Sequence, residues 1–281
     1  MTAEHNKIKQ GLPAKSVEEI ASSLVSARIA ARGLDYYPGS APADLATAYL
    51  IQDRAIDLWS DKIGGWKVGR IPPAVEDKFG CDRLAGPIFA TTIVWQANND
   101  VPAMPVFADG FAAVEAEFVA VIREDAPAGK VHWGREEAEA MIRELRIGLE
   151  IASSPLVGIN DLGPAVVASD FGNNRGLIVG PIIPDWQERD VQSLTCSTYV
   201  EDELVGEGGA FRLTGGVTRS VQFMLEVAAG RGRPLQAGAV VATGQTTGIH
   251  EVTPGQSVNI RFGGGDLGEL RCQIKALLAS Q

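Results

Sequence analysis

Cysteine is scarce in this 281-residue chain: Cys81, Cys196 and Cys272 lie far apart and form no C-x-x-C pair. That excludes a disulfide framework and a zinc knuckle and leaves three small, burial-prone side chains. Histidine is as sparse, with His5, His132 and His250 isolated and no H-E-x-x-H spacing to favour zinc. There is no Lys/Arg-rich run, and the net charge is -10, so a phosphate-backbone partner is excluded and nucleic acid is not an expected ligand. No apolar stretch reaches the roughly 18 residues that would cross a bilayer, and the opening MTAEHNKIKQGLPAK lacks the apolar core of a secretion signal. The expectation is a cytoplasmic protein with no membrane partner. A P-loop and a G-x-S-x-G elbow are both absent, which removes nucleotide binding and serine hydrolysis. G-G-G-D-L-G at 263–268 formally matches a dinucleotide fingerprint, but only residues 269–281 follow it and GELRCQI is strand-like. No βαβ unit fits there, so the segment is expected to be a hairpin turn.

What is present is an ordinary globular composition, 45% apolar and 21% charged, with length for one large domain or two smaller ones. Apolar residues Val17, Ile20, Leu24 and Ala27 fall at helical spacing behind Ser16, with Glu19 placed to complete a capping box. A second helical pattern runs from about Pro42 to Trp59. GGWKVG, residues 64–69, reads as a short glycine-edged strand that RIPP ends. Beyond it, EAEFVAVI (115–122) alternates like a strand, while REEAEAMIRELRIGLEIA (135–152) reads as a charged amphipathic helix. The rest is mostly short strands (GLIVGPII, CSTYVEDELVGEG, AVVATG, SVNIRFGG, GELRCQI), with one helix at about 216–229. The class is therefore α+β, with a helical N-terminal region at 1–78 and a β-rich body at 79–281.

Glu115 and Glu117 stand two apart in a strand, a period that puts both side chains on one face with Cα atoms about 7 Å apart. Either they face water, or they converge on one ion. Glu150, in the apolar context Ile147 to Ala152, either pairs with an arginine or joins them. Three meeting carboxylates repel by about 1 to 4 kcal/mol per pair at 4 Å, and a divalent cation removes that penalty. Oxygen donors alone select a hard ion, Mg²⁺ or Mn²⁺. Lys67, inside an apolar strand between glycines, either reaches solvent or, if buried, binds a carboxylate or moves a proton.

These residues resemble the 2-keto-4-pentenoate hydratase and 4-oxalocrotonate decarboxylase group of the fumarylacetoacetate hydrolase superfamily. The likeness rests on segments that occur in the group's order: G-W-K-V-G (65–69), V-E-A-E-F (114–118), G-L-E-I-A-S-S (148–154), S-D-F-G-N-N-R-G-L-I-V-G (169–180), T-G-Q-T-T-G (243–248) and F-G-G-G-D-L-G (262–268). The resemblance implies a mixed β-roll, a homo-oligomer, and Glu115, Glu117 and Glu150 as ligands of Mg²⁺ or Mn²⁺. It also implies catalytic roles for Lys67 and Asp170 and a substrate lining that includes Asn173, Asn174 and Thr247. Three departures stand out: Ser153, Ser154 and Pro155 replace an Asp-Ser-Arg run, Asn173 and Asn174 replace a serine pair, and L-A-G-P-I-F (84–89) lacks the acid common before G-x-L-F.

The activity so implied is that of a lyase on a small 2-oxo acid, chelated through its carboxylate and 2-oxygen. In the hydratase form a 2-hydroxy-2,4-dienoate is protonated to a 2-oxo-3-enoate and water adds at C4. The alternatives are a 4-oxalocrotonate-type decarboxylase, a C-C hydrolase of a 1,3-dicarbonyl acid, and a catalytically inactive binding paralogue. The hydrolase needs a histidine with an acidic partner, and neither His132 nor His250 has an evident one apart from Glu251 beside His250.

Overall fold

The structure, a computed structural model, describes residues 16–96 and 100–279. The opening segment read above for a secretion signal, with His5, lies outside these residues. Helix α1 (Val17–Ile29) begins at Ser16 with the full reciprocal capping box to Glu19, and α2 (Leu45–Leu58) begins at Asp44, whose side chain accepts from the Thr47 N–H. Strand β1 (Ile63–Arg70), helix α3 (Pro73–Phe79), and strands β2 (Arg83–Phe89), β3 (Ile93–Trp95), β4 (Ala103–Val106) and β5 (Phe111–Ile122) follow. Then come α4 (Arg135–Ala140), β6 (Ile142–Ser154), α5 (Pro164–Ser169), β7 (Asn174–Ile182), β8 (Thr195–Val200) and β9 (Glu203–Gly209). Helix α6 (Gly216–Gly230) and strands β10 (Val240–Ala242), β11 (His250–Glu251), β12 (Ser257–Phe262) and β13 (Gly268–Ala276) complete the chain. No described helix is long and apolar enough to cross a membrane.

One reading of the sequence needs correction. The helix expected over 135–152 stops at Ala140, and residues 142–154 form the long strand β6. Its charged first half mimics a helical stripe, but the β-branched Ile142, Ile147 and Ile151 suit a strand, and β6 is hydrogen-bonded on both edges, to β5 and β7. Tertiary pairing outweighs the helical propensity of the glutamates and arginines.

The strands form two sheets. The larger has the order β2-β1-β10-β5-β6-β7-β3, with β11 also pairing β5; it is mixed, since β1/β10 and β3/β7 run parallel and the other pairs antiparallel. The smaller has the order β4-β13-β12-β8-β9, and the G-G-G-D-L-G segment turns β12 into antiparallel β13, as its sequence requires. Strand β1 lies between β2 and β10, so by its pairing GGWKVG belongs to the β-rich body.

The larger sheet curls. Ile88 on β2 and Leu177 and Val179 on β7 come from distant places in the strand order, yet they share one buried cluster with Val119, Val121, Val240 and Ala242. This cluster fills one end of the concave face. The convex face carries Phe118, Ala120, Leu149 and Ile151 into a second core shared with Leu24, Ile51, Ile260 and Phe262 from the helices and the smaller sheet. Phe118 and Phe262 meet edge to face at 5.7 Å across it. The chain thus has apolar residues on both faces of β5, and any polar side chain on that strand is buried whichever way it points.

Candidate functional site

Glu115 and Glu117 have the parity of Val119 and Val121 and therefore point to the concave face, beyond the apolar cluster. Strand β6 runs antiparallel beside β5 in a register that sets Glu150 directly opposite Glu115 and Gly148 opposite Glu117. Opposed residues share a face, so all three carboxylates enter the same space. One oxygen from each lies within 4.8 Å of the others. Gly148 contributes to this geometry, because a Cβ there would come within 2.3 Å of Val119 Cγ2.

All three acids are buried, Glu117 and Glu150 completely. Burial pushes the Glu115 carboxyl up to about 7, against the pull of the Lys67 charge. Glu117 is raised well above the carboxylate range, first by burial and then by the charges of Glu150 and Glu115. The Gly244 N–H donates to Glu117 Oε2 at 3.0 Å, and Asn174 Nδ2 donates to Glu150 Oε1 at 2.8 Å. Glu117 Oε1 and Glu150 Oε2 are buried with no hydrogen-bond partner among the described residues. Buried acceptors left bare beside like charges are costly, and a small hard cation is the group whose chemistry they match. The residues present fit a divalent metal.

Lys67 is also buried, and alternation along β1 sends it to the same concave face. Its Nζ lies 3.4 Å from Glu150 Oε1 and donates to Asn173 Oδ1 at 3.3 Å. Burial pulls its pKa down, but the charges of Glu150, Glu115 and Glu117 outweigh that and hold the ammonium protonated.

The turn that carries Asn173 is unusual. Phe171, Gly172 and Asn173 all have positive φ, at 56°, 62° and 56°, a run that only strong tertiary restraint sustains. Two glycines admit it: a Cβ on Gly86 would lie 2.3 Å from the Phe171 carbonyl oxygen, and one on Gly172 would lie 3.0 Å from Lys67 Cδ. Arg28 supplies the restraint. From α1 its guanidinium grips both oxygens of Asp170 at 2.6 and 2.9 Å and donates to the carbonyls of Asp170 and Asn174. Ser154 Oγ adds a 2.6 Å hydrogen bond to Asp170 Oδ2.

The structure therefore brings Glu115, Glu117, Glu150, Lys67, Asn173 and Asn174 together, and it places Asp170 and Thr247 otherwise. Both Asp170 oxygens are taken by Arg28 and Ser154. The Thr247 hydroxyl is shared with Thr198 at 2.9 Å and His250 at 3.2 Å, and among the described residues it has no hydrogen bond to the carboxylates. Of the loop at 243–248, Gly244 is the residue that reaches them, and its φ of 120° favours glycine. Sequence reasoning missed Gly244 and Arg28. The signal for Arg28 was available: it follows Ala21 and Leu24 by seven and four residues, on the apolar stripe of α1.

No family model and no curated protein matches the sequence. Solved structures do match the fold. One is 4-oxalocrotonate decarboxylase from Pseudomonas putida G7 complexed with magnesium and adipate, at a TM-score of 0.75 and 20% identity, covering 92% of this chain and 97% of that one. A fumarylpyruvate hydrolase from Pseudomonas aeruginosa in complex with Mn²⁺ and pyruvate matches at 0.56 and 20%, covering 75% and 89%. A putative fumarylacetoacetate hydrolase family protein from Yersinia pestis CO92 matches at 0.54 and 14%, covering 77% and 94%. The fold is that of the fumarylacetoacetate hydrolase superfamily. Within the fumarylacetoacetate hydrolase fold of this chain, the acidic cluster occupies the concave face of the larger sheet, and the helical layer of α1 braces the turn beside it.

Proposed function

We propose that the chain is a divalent-metal-dependent lyase of small 2-oxo acids, adding water to a 2-oxo-3-enoate formed from a 2-hydroxy-2,4-dienoate. The observation that carries this reading is the set of three buried carboxylates, two with bare oxygens, facing a buried lysine. Glu115, Glu117 and Glu150 would hold the ion, and Mg²⁺ or Mn²⁺ suits the all-oxygen donor set. When bound, the cation supplies fixed positive charge against the negative charge that develops on the 2-oxygen of such an acid.

The remaining groups orient and move protons. Asn174 and Gly244 each hold one oxygen of a ligand carboxylate, which aims the other oxygen at the common centre. Lys67 spends two donors on Glu150 and Asn173 and keeps a third for the substrate, either to anchor its carboxylate or to protonate its carbon chain. Asp170, saturated by Arg28 and Ser154, acts as a positioning residue that sets Asn173 and Asn174. Thr247 buttresses the 243–248 loop from the Thr198 side.

Three observations favour a second reading, decarboxylation. No acid stands in residues 84–89 to activate water, and Leu84 sits against Gly69 close to the lysine, an apolar wall that suits loss of a carboxylate. The likeness to the decarboxylase also spans the chain almost entirely, whereas that to the hydrolase stops at 75%. The test is a turnover panel with and without Mn²⁺. Metal-dependent loss of dienoate absorbance with water uptake supports the hydratase, and CO₂ release from 4-oxalocrotonate supports the second reading. Absence of chelator-reversible turnover on both substrates overturns the proposal.

A further inference from the structure

Bordered by the 243–248 loop, and lined by none of the three carboxylates, lies a cavity of about 270 Å³. Its walls include Val68 and Arg70 of β1, Asp82 and Arg83 before and on β2, Arg212, and the loop residues Gly244 and Gln245. Alternation along β1 puts Val68 and Arg70 on the face away from Lys67, so the cavity opens on the convex side of the sheet. Gly244 borders both places: its N–H donates to Glu117, and it is one of the residues that line the cavity.

The charge in this cavity is out of balance. Arg70 and Arg83 are directly paired across β1 and β2, so two like charges stand side by side at the cavity wall. Arg83 is satisfied by Asp82 and by the Thr214 carbonyl. The guanidinium groups of Arg70 and Arg212 have no hydrogen bond or ion pair among the described residues, and the Gln245 amide uses its oxygen on the Gly248 N–H while its two donors are unspent. Three arginines against one aspartate give the cavity a charge of +2 inside a protein whose net charge is -10. Its donors outnumber its acceptors, and its size is near the lower end of metabolite pockets.

We infer that this cavity is a binding site for a small oxyanion, a phosphate or a short dicarboxylate, held by Arg70, Arg212 and Gln245 and separate from the carboxylate cluster. Planar guanidinium forks match the oxygens of both anions, and the neighbouring Arg83–Asp82 pair keeps the third arginine fixed as a wall. The same chemistry has two sources: a free anion, or the far carboxylate of an acid held at the metal site. The placement on the convex face favours the free anion.

Calorimetric titration with inorganic phosphate, and separately with succinate, in anion-poor buffer tests this directly. The protein is used once treated with chelator and once with Mn²⁺. Saturable binding of phosphate or succinate, retained in chelator and weakened about tenfold or more in Arg70→Gln/Arg212→Gln, is the expected result. Both positions are exposed, so the double variant should fold, and an unchanged melting temperature in chelator checks this. An affinity equal to wild type in a folded double variant overturns the inference, as does no saturable binding at millimolar anion. Binding that appears only with Mn²⁺ also overturns it, since the anion would then belong to the carboxylate site. Because the readout is binding in chelator, the inference stands or falls separately from the proposed lyase activity.

Discussion

Glu117→Gln distinguishes an acid cluster built to hold a cation from one that is only buried. In the metal-free protein Glu117 is fully buried, and burial together with the charges of Glu150 and Glu115 raises its carboxyl well above its ordinary value, which favours the neutral form. Glutamine mimics that neutral form at nearly equal volume and keeps an acceptor for the Gly244 N–H, now 3.0 Å from Oε2. Metal-free stability should therefore change by no more than about 1 kcal/mol, the scale of one net hydrogen bond. Cation binding needs the ionised form. Loss of one of three charged ligands should weaken Mn²⁺ at least about a hundredfold, or about 2.7 kcal/mol. At a Mn²⁺ concentration of about one hundred times Kd, wild type gains about 2.7 kcal/mol from binding, which raises Tm by about 5 °C for a chain of this length. The variant at the same concentration would sit near its own Kd and gain about 0.4 kcal/mol, less than about 1 °C. Thermal unfolding in chelator and across a Mn²⁺ series measures both quantities. A variant that keeps the full metal-dependent shift would refute the ligand assignment. Loss of several kcal/mol in chelator would refute the upward shift of the Glu117 carboxyl.

Other outcomes follow from the same geometry. Lys67→Met should lower turnover by about 10²-fold or more, yet leave Mn²⁺ affinity equal or higher because the ammonium repels the ion; near-normal turnover would return Lys67 to a packing role. Between pH 4.5 and about 7 the metal-free folded protein holds a proton on Glu115 that the unfolded chain has released, so its stability should fall as pH rises through this window. Saturating Mn²⁺ should flatten that slope, and thermal unfolding at pH 5, 6 and 7 reads it; a metal-free stability that rises over the window contradicts the raised carboxyl. Arg28→Met should cost about 3 to 5 kcal/mol by leaving Asp170 buried without its cation, measured by urea unfolding, and a loss under about 1 kcal/mol would show that the turn does not depend on the pair.

The convergence of Glu115 and Glu117, the strand around Lys67, the Ser16 cap and the turn at 263–268 follow from local rules: side-chain alternation, a reciprocal cap and glycine conformations act over a few residues and are visible in any such stretch. Glu150 shows where those rules end. Its segment carries a helical stripe, and only the two neighbouring strands, each offering a row of unpaired N–H and C=O groups, make the extended form the better one and set it opposite Glu115. Arg28 and Asp170 are 142 residues apart, and Gly244 and Glu117 are 127 apart. No local signal links such pairs, because their meeting depends on how the larger sheet curls and where α1 docks on it. The sequence by itself determined which residues are able to carry charge into an apolar strand. The tertiary structure alone decided which of them share a face, which oxygens are left bare, and which acid is already spent on an arginine, since burial and pairing are properties of the packed whole.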